Sequence, residues 1–100
     1  VVFFGTGGIF IEAFRDVANI LCPAEPENIR KRLEQLRSYT VLQGLRGREP
    51  GDIDAFVDLV ARVSMLLADH PEMVELDINP VRVFPRGKGV MALDARARIT

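Results

Sequence analysis

Two stretches late in the chain carry hard oxygen donors at regular spacing. Glu75, Asp77 and Asn79 alternate with apolar residues in E-L-D-I-N-P, and Asp94 does so in A-L-D-A-R. Such oxygens suit Mg²⁺, which commonly takes one or two protein ligands and completes its octahedron with substrate phosphates and water. The same alternation also describes a solvated sheet face stabilised by cross-strand charge pairs. Other residues carry chemistry with less context. Glu12 sits in an apolar stretch with Phe10 and Phe14 on its side, where a buried carboxylate must be paired or protonated. An edge position or an arginine partner would satisfy it equally well. Gly7 and Gly8, in G-T-G-G, permit close backbone approach. They fit either a tight turn or a phosphate-cradling nest, but no G-K-[ST] follows to make a P-loop. Arg46, in L-R-G, suits bidentate phosphate or carboxylate binding, or simple stabilisation of its loop. His70, the single histidine, precedes Pro71. That place favours a surface cap at a helix C-terminus over a metal ligand or phosphoryl carrier.

The element that must position the first set is a hairpin over residues 73–99. Val74, Leu76 and Ile78 face one way, and Met91, Leu93, Ala95, Ala97 and Ile99 share a face on the returning strand. The P-R-G-K-G stretch between them is a turn signal. With residues 85–88 as the loop, Phe84 pairs with Gly89. Asn79 then falls opposite Asp94, Asp77 opposite Arg96, and Glu75 opposite Arg98. Directly opposed Cβ atoms lie about 4.5–5.5 Å apart, so Asn79 and Asp94 are within reach of one cation.

Upstream, residues 1–4 read as a buried strand, the glycines as a break, and residues 9–14 and 17–21 as two further strands. Pro26 opens a helix expected to run to about Arg37, with Ile29, Leu33 and Leu36 inward. Its outer side bears Arg30, Lys31, Arg32 and Arg37, most simply a solvated face. Residues 39–50 read as a loop. Asp52 is placed to N-cap a second helix that ends near His70, with Ile53, Phe56, Val57, Val60, Val63 and Leu67 along one stripe. The pattern is α+β, two helices against one face of a mostly antiparallel sheet.

Composition sets the outer limits. An apolar fraction of 48% over 100 residues supports one small packed domain or part of one. The 13 basic and 14 acidic side chains leave a net charge of −1, which offers no long-range attraction to nucleic acid or anionic membrane. No apolar run reaches the roughly 18 residues of a membrane span. The lone cysteine, Cys22, excludes an internal disulfide framework and suits a reducing cytoplasm. The opening V-V-F-F-G reads as a strand entered from something upstream, so the chain is expected to be a fragment of a longer polypeptide.

E-L-D-I-N-P at 75–80 and A-L-D-A-R at 92–96 resemble the end of an ATP-grasp domain, of the type in ADP-forming acyl-CoA synthetases. That type is related to the succinyl-CoA synthetase β subunit. G-T-G-G-I-F-I-E with R-D-V-A, and L-Q-G-L-R-G with P-G-D-I-D-A, are similar to the family's glycine turn and central loop, in matching order. The resemblance implies the C-terminal part of the ATP-grasp fold across residues 1–100, with ATP and Mg²⁺ as ligands. It implies that Asn79 and Asp94 hold the metal and that Gly7, Gly8 and Arg46 lie on the nucleotide. It puts Glu12 near the cleft and Asp77 near a phosphohistidine, where the succinyl-CoA synthetase type has a longer Glu. The implied activity is acid + CoA + ATP to acyl-CoA + ADP + phosphate, through an acyl phosphate and a phosphohistidine. A CoA-binding domain or subunit would be the partner, and the isolated fragment is expected to be inactive and prone to self-association. A second reading is a ligand-sensing region fused to a protein lysine acetyltransferase.

Overall fold

The computed structural model describes residues 2–5, 17–44 and 49–100. Strand β1 (Val2–Gly5) pairs antiparallel with β2 (Val17–Ile20). Helix α1 spans Pro26–Glu34, α2 Tyr39–Leu42 and α3 Ile53–Asp69. Strands β3 (Met73–Ile78), β4 (Val81–Val83), β5 (Val90–Ala92) and β6 (Ala95–Ile99) follow. The order confirms the α+β class, and every described strand pairing is antiparallel. The strand expected over residues 9–14 lies outside the described residues.

The core is where α1 and α3 cross beneath β1. Ile29 and Leu33 from α1 meet Val57, Val60 and Ala61 from α3, with Phe4 and Leu36 closing the cluster. Full burial of a side chain the size of Ile29 or Leu33 is worth about 1.5–3 kcal/mol. The Phe4 ring meets Phe56 edge-on, with centroids 6.0 Å apart. Ser64 is the one polar side chain wholly inside this described core. It accepts from the Ala24 amide at 3.0 Å and donates to the Ala61 carbonyl at 2.8 Å, so neither capacity is left unmet. Arg30 pairs with Asp54, which gives the basic side of α1 an anchor on α3.

Helix α1 stops sooner than its apolar stripe predicts. At Gln35 and Leu36 the amides bond back to Arg32 and Leu33, the tight three-residue spacing of a 3₁₀-type turn. Leu36 stays buried through this turn. The segment expected to be loop from Tyr39 onward instead begins with the short helix α2. Two helices were expected, and three are present among the described residues. Asp52 caps α3 as predicted, its Oδ1 accepting from Ala55 N at 3.1 Å, and His70 is the C-cap.

The hairpin has the predicted register. Glu75 lies opposite Arg98, Asp77 opposite Arg96, Val83 opposite Val90, and Phe84 N donates to Gly89 O at 3.0 Å. It is not one continuous ribbon, however. Both strands break at the same level, so β3 pairs with β6 and β4 with β5. At the break Asn79 N donates to Asp94 O at 3.0 Å, and Leu93 N donates to Pro80 O at 2.9 Å. Bonds on consecutive pairs depart from the alternating antiparallel ladder. Proline has no N–H to continue that ladder.

The break also switches the apolar face. Below it Leu76 and Ile78 are half-buried; above it Val81, Val83 and Val90 are. Met91 therefore pairs with Arg82 and is 51% exposed, so it does not share the buried side as alternation predicts. Leu93 and Ile99 are exposed as well, and β6 is exposed along its whole length. Leu76, Ile78, Val81 and Val83 line a cavity shared with the helices, and no described element covers β6.

Candidate functional site

The site begins with the break in the ribbon. Asn79 and Asp94 face each other there, joined by their backbone bond, and both are exposed. Asp94 Oδ1 accepts from its neighbour's amide, Ala95 N, at 2.9 Å, and Oδ2 lies 4.0 Å from Arg96 Nε. Arg96 was expected to answer Asp77 across the ribbon, but it leans toward Asp94 on its own strand. Among the described residues Asp77 thus has no ion pair, whereas Glu75 holds Arg98 at 2.9 Å.

Asp77 and Asn79 also line a cavity of about 690 Å³ between the ribbon and the helices. Its walls are mainly apolar: Leu33 and Leu36, then Phe56 and Val60 of α3, with Leu76, Ile78, Val81 and Val83 opposite. Asp94 is not one of its lining residues. A mostly apolar cleft with a few oxygen atoms at one edge is the usual form of a small-molecule site.

No group of three or more His, Cys, Asp or Glu side chains among the described residues is placed to hold a metal ion. A protein-only cage is therefore not on offer among them. By donor type, an amide oxygen from Asn79 and a carboxylate from Asp94 suit Mg²⁺, a hard cation that retains waters and takes phosphate oxygens. Glu12, Gly7, Gly8 and Arg46 lie outside the described residues. His70 is exposed, and its Nδ1 lies 3.1 Å from Glu72 Oε1. Glu72's carboxyl is held below its ordinary value by its own backbone N–H and then by His70. Cys22 is half-buried with a free thiol.

Alternation could not reveal the second role of Asp52. Besides capping α3, its Oδ2 accepts from Gly89 N at 2.8 Å and Gly87 N at 3.1 Å, at the far tip of the hairpin. The backbone N–H groups of Gly89 and Ala55 lower its carboxyl most; burial opposes them, and Gly87 and the Arg86 charge add smaller lowering effects. Both glycines have positive φ, 82° and 86°, which aims their N–H groups inward. The turn glycines in P-R-G-K-G were a visible signal; the acceptor they serve was not.

A family model described as an ATP-grasp domain matches residues 1–99. The chain belongs to the ATP-grasp family. Its α+β fold and antiparallel strands agree with that membership. The chain is 42% identical over 91 residues to an ADP-forming acetate–CoA ligase of Archaeoglobus fulgidus, covering 91% of this chain and 13% of that protein. It is 41% identical over 96 residues to the β subunit of an ADP-forming acetate–CoA ligase of Pyrococcus furiosus, covering 95% of this chain and 41% of that one. An acetyl-coenzyme A synthetase of Ca. Korarchaeum cryptofilum, solved with coenzyme A and Mg-AMPPCP, superposes with a TM-score of 0.91 at 35% identity. That match covers 98% of this chain and 45% of the other. A Pyrococcus horikoshii structure matches with a TM-score of 0.91 at 38% identity, over 98% of this chain and 41% of that one. This ATP-grasp chain thus spans less than half the length of each of these relatives. The acetyltransferase-fusion alternative gains no support from them.

Proposed function

We propose that the chain is the C-terminal part of the ATP-grasp domain of an ADP-forming acyl-CoA synthetase of the cytoplasm. The parent reaction is acid + CoA + ATP to acyl-CoA + ADP + phosphate, with an acyl phosphate and a phosphohistidine on the route. What supports this reading is the company the chain keeps: ADP-forming acid–CoA ligases at 41–42% identity over most of its length. A CoA-binding domain or subunit is the expected partner, in keeping with a relative that is itself a β subunit.

In this reading Asn79 and Asp94 hold the Mg²⁺ of the nucleotide from opposite strands. The metal, when bound, neutralises charge on the phosphoryl group in transfer. Asn79 supplies a neutral oxygen and Asp94 a charged one, so the pair attracts the cation without repelling the phosphates as two carboxylates would. Asp77, which has no ion pair among the described residues, can accept a hydrogen bond from an incoming imidazole and so orient a phosphohistidine. The apolar walls between ribbon and helices keep water from the phosphoryl group. Gly7, Gly8 and Arg46 are assigned to the nucleotide phosphates, and Glu12 to the cleft.

The test compares two changes on the returning side of the ribbon, one at the break and one four residues on in β6. In the intact protein, Asp94→Asn is expected to weaken Mg-nucleotide binding or turnover by about tenfold or more, the effect of losing a charged ligand. Arg98→Gln, which only opens the Glu75 pair, is expected to leave both within about twofold. Equal and small effects of the two changes would remove the metal assignment and leave a charge-paired sheet face.

A further inference from the structure

The ribbon lies along α3 and is tied to it at both ends. At the lower end the tie is the chain itself: Met73 N donates to His70 O at 3.0 Å, and Thr100 N to Glu72 O at 2.9 Å. At the upper end there is no covalent connection. There the attachment is made by residues 50–52: Arg86 N donates to Pro50 O at 2.9 Å, Asp52 N to Phe84 O at 2.8 Å, and the Asp52 carboxylate takes the two glycine amides. Gly51 N in turn donates to Leu42 O at 2.7 Å, which links the clamp to α2. Between the two ends is the break, and Asn79 and Asp94 stand at it.

A two-stranded ribbon is marginally stable alone, and a break in its ladder leaves the two halves joined by few bonds. The lower half is fixed by its connection to α3. The angle of the upper half, and so the geometry at the break, depends on what holds the tip. We infer that Asp52 is a positioning residue for the Mg-nucleotide site: by clamping the hairpin tip to α3 it sets the relation of Asn79 to Asp94 without touching ligand. This rests on the metal assignment proposed above.

The division of labour between the two oxygens makes the inference testable. Oδ1 serves the helix and Oδ2 serves the hairpin. Serine is a good N-cap but has one oxygen and a shorter reach, so Asp52→Ser keeps the cap and the backbone bonds of residues 50–52 but removes the hold on the two glycine amides. Asparagine keeps the size of the side chain but replaces one acceptor with a donor, facing two N–H groups.

In the intact protein without nucleotide, D52S is expected to speed exchange of the Gly87 and Gly89 amides about tenfold or more, with the α3 amides little changed. Loosening lowers the competent fraction of free protein, so the KM for Mg-ATP is expected to rise by about the reciprocal of that fraction, roughly tenfold, while saturating ligand restores kcat to within about threefold. Saturating Mg-ATP is also expected to return protection to both glycine amides. A purely structural role would instead reduce the amount of active protein, and with it kcat, at constant KM. If D52S does not fold, D52N carries the same readouts. Unchanged exchange at Gly87 and Gly89 would overturn the clamp. Faster exchange with unchanged KM, while Asp94→Asn still weakens Mg-nucleotide, would overturn the positioning role alone. No effect of Asp94→Asn would overturn the metal assignment and the positioning role with it.

Discussion

The acid that meets the tip of the ribbon and the acids at its break are treated in opposite ways. At the tip, Asp52 is 8% exposed and receives three backbone N–H groups, so its charge is fully used by the protein. At the break, Asp77 and Asp94 are exposed. Asp94 meets one local amide and a distant guanidinium edge, and Asp77 has no ion pair among the described residues. A carboxylate saturated by the fold has nothing left to offer a ligand. One left open to solvent keeps its lone pairs for a cation or an imidazole. In the proposed reading the difference separates the acid that holds the fold from the acids assigned to the site, although all three occur in similar short polar contexts in the sequence.

The sharpest way to probe this contrast is through what each region leans on. Ile29, wholly buried beneath α3, supports the helix to which the tip is clamped. Ile29→Ala is expected to cost about 2–5 kcal/mol in denaturant unfolding. Ile99→Ala, at the 64% exposed end of the ribbon, is expected to stay within about 0.5 kcal/mol in the same measurement. Comparable losses would mean that the ribbon base is packed as firmly as the helical core.

Acid should divide the two regions next. The Asp52 carboxyl is lowered below its ordinary value of 3.8. A depressed folded value means the unfolded chain binds this proton more readily. The clamp's contribution is thus complete above that ordinary value and is lost as pH falls below it, through the depressed one. Exchange of Gly87 and Gly89, corrected for intrinsic rates, should keep its protection through mildly acid pH and lose it only under strongly acid conditions. Loss of protection near neutrality would show that something other than Asp52 holds the tip.

The smallest effect belongs to the pair below the break. Glu75 and Arg98 are both mostly exposed, and Arg98→Gln should change stability by less than about 0.5 kcal/mol. A larger cost would show that the charge pair, and not the apolar contact of Leu76 and Ile78, holds β3 to β6.

Local pattern was enough for much of this. Alternation in residues 73–99, with a glycine-rich turn at their middle, set the register that brings Asn79 opposite Asp94, because a slip of one residue would turn a polar face inward. Asp52 ahead of an apolar stripe, and Pro71 after it, bounded α3, because capping and the missing proline N–H act within one turn. The same rules overran the end of α1, because the stripe continues to Leu36 while the backbone tightens at Gln35. They also carried one apolar face straight through Pro80, where the ladder loses a donor and the half-buried side changes from Ile78 to Val81.

What only the tertiary structure decided are the relations between distant segments. Asp52 meets Gly87 and Gly89 across 35 and 37 residues, and nothing local marks an acid as the acceptor for two amides so far along the chain. Arg96 turns to Asp94 and leaves Asp77 open, a choice between two acids that pairing alone does not make. Which apolar residues of the ribbon are half-covered depends on where the helices lie: Leu76, Ile78, Val81 and Val83 share a cavity with them, and β6 is left bare. Sequence by itself determined the two long helices and the register of the ribbon, since these follow from hydrogen bonding and periodicity between near neighbours. The packed fold decided which polar atoms are spent on structure and which remain for chemistry, because that depends on three-dimensional distance.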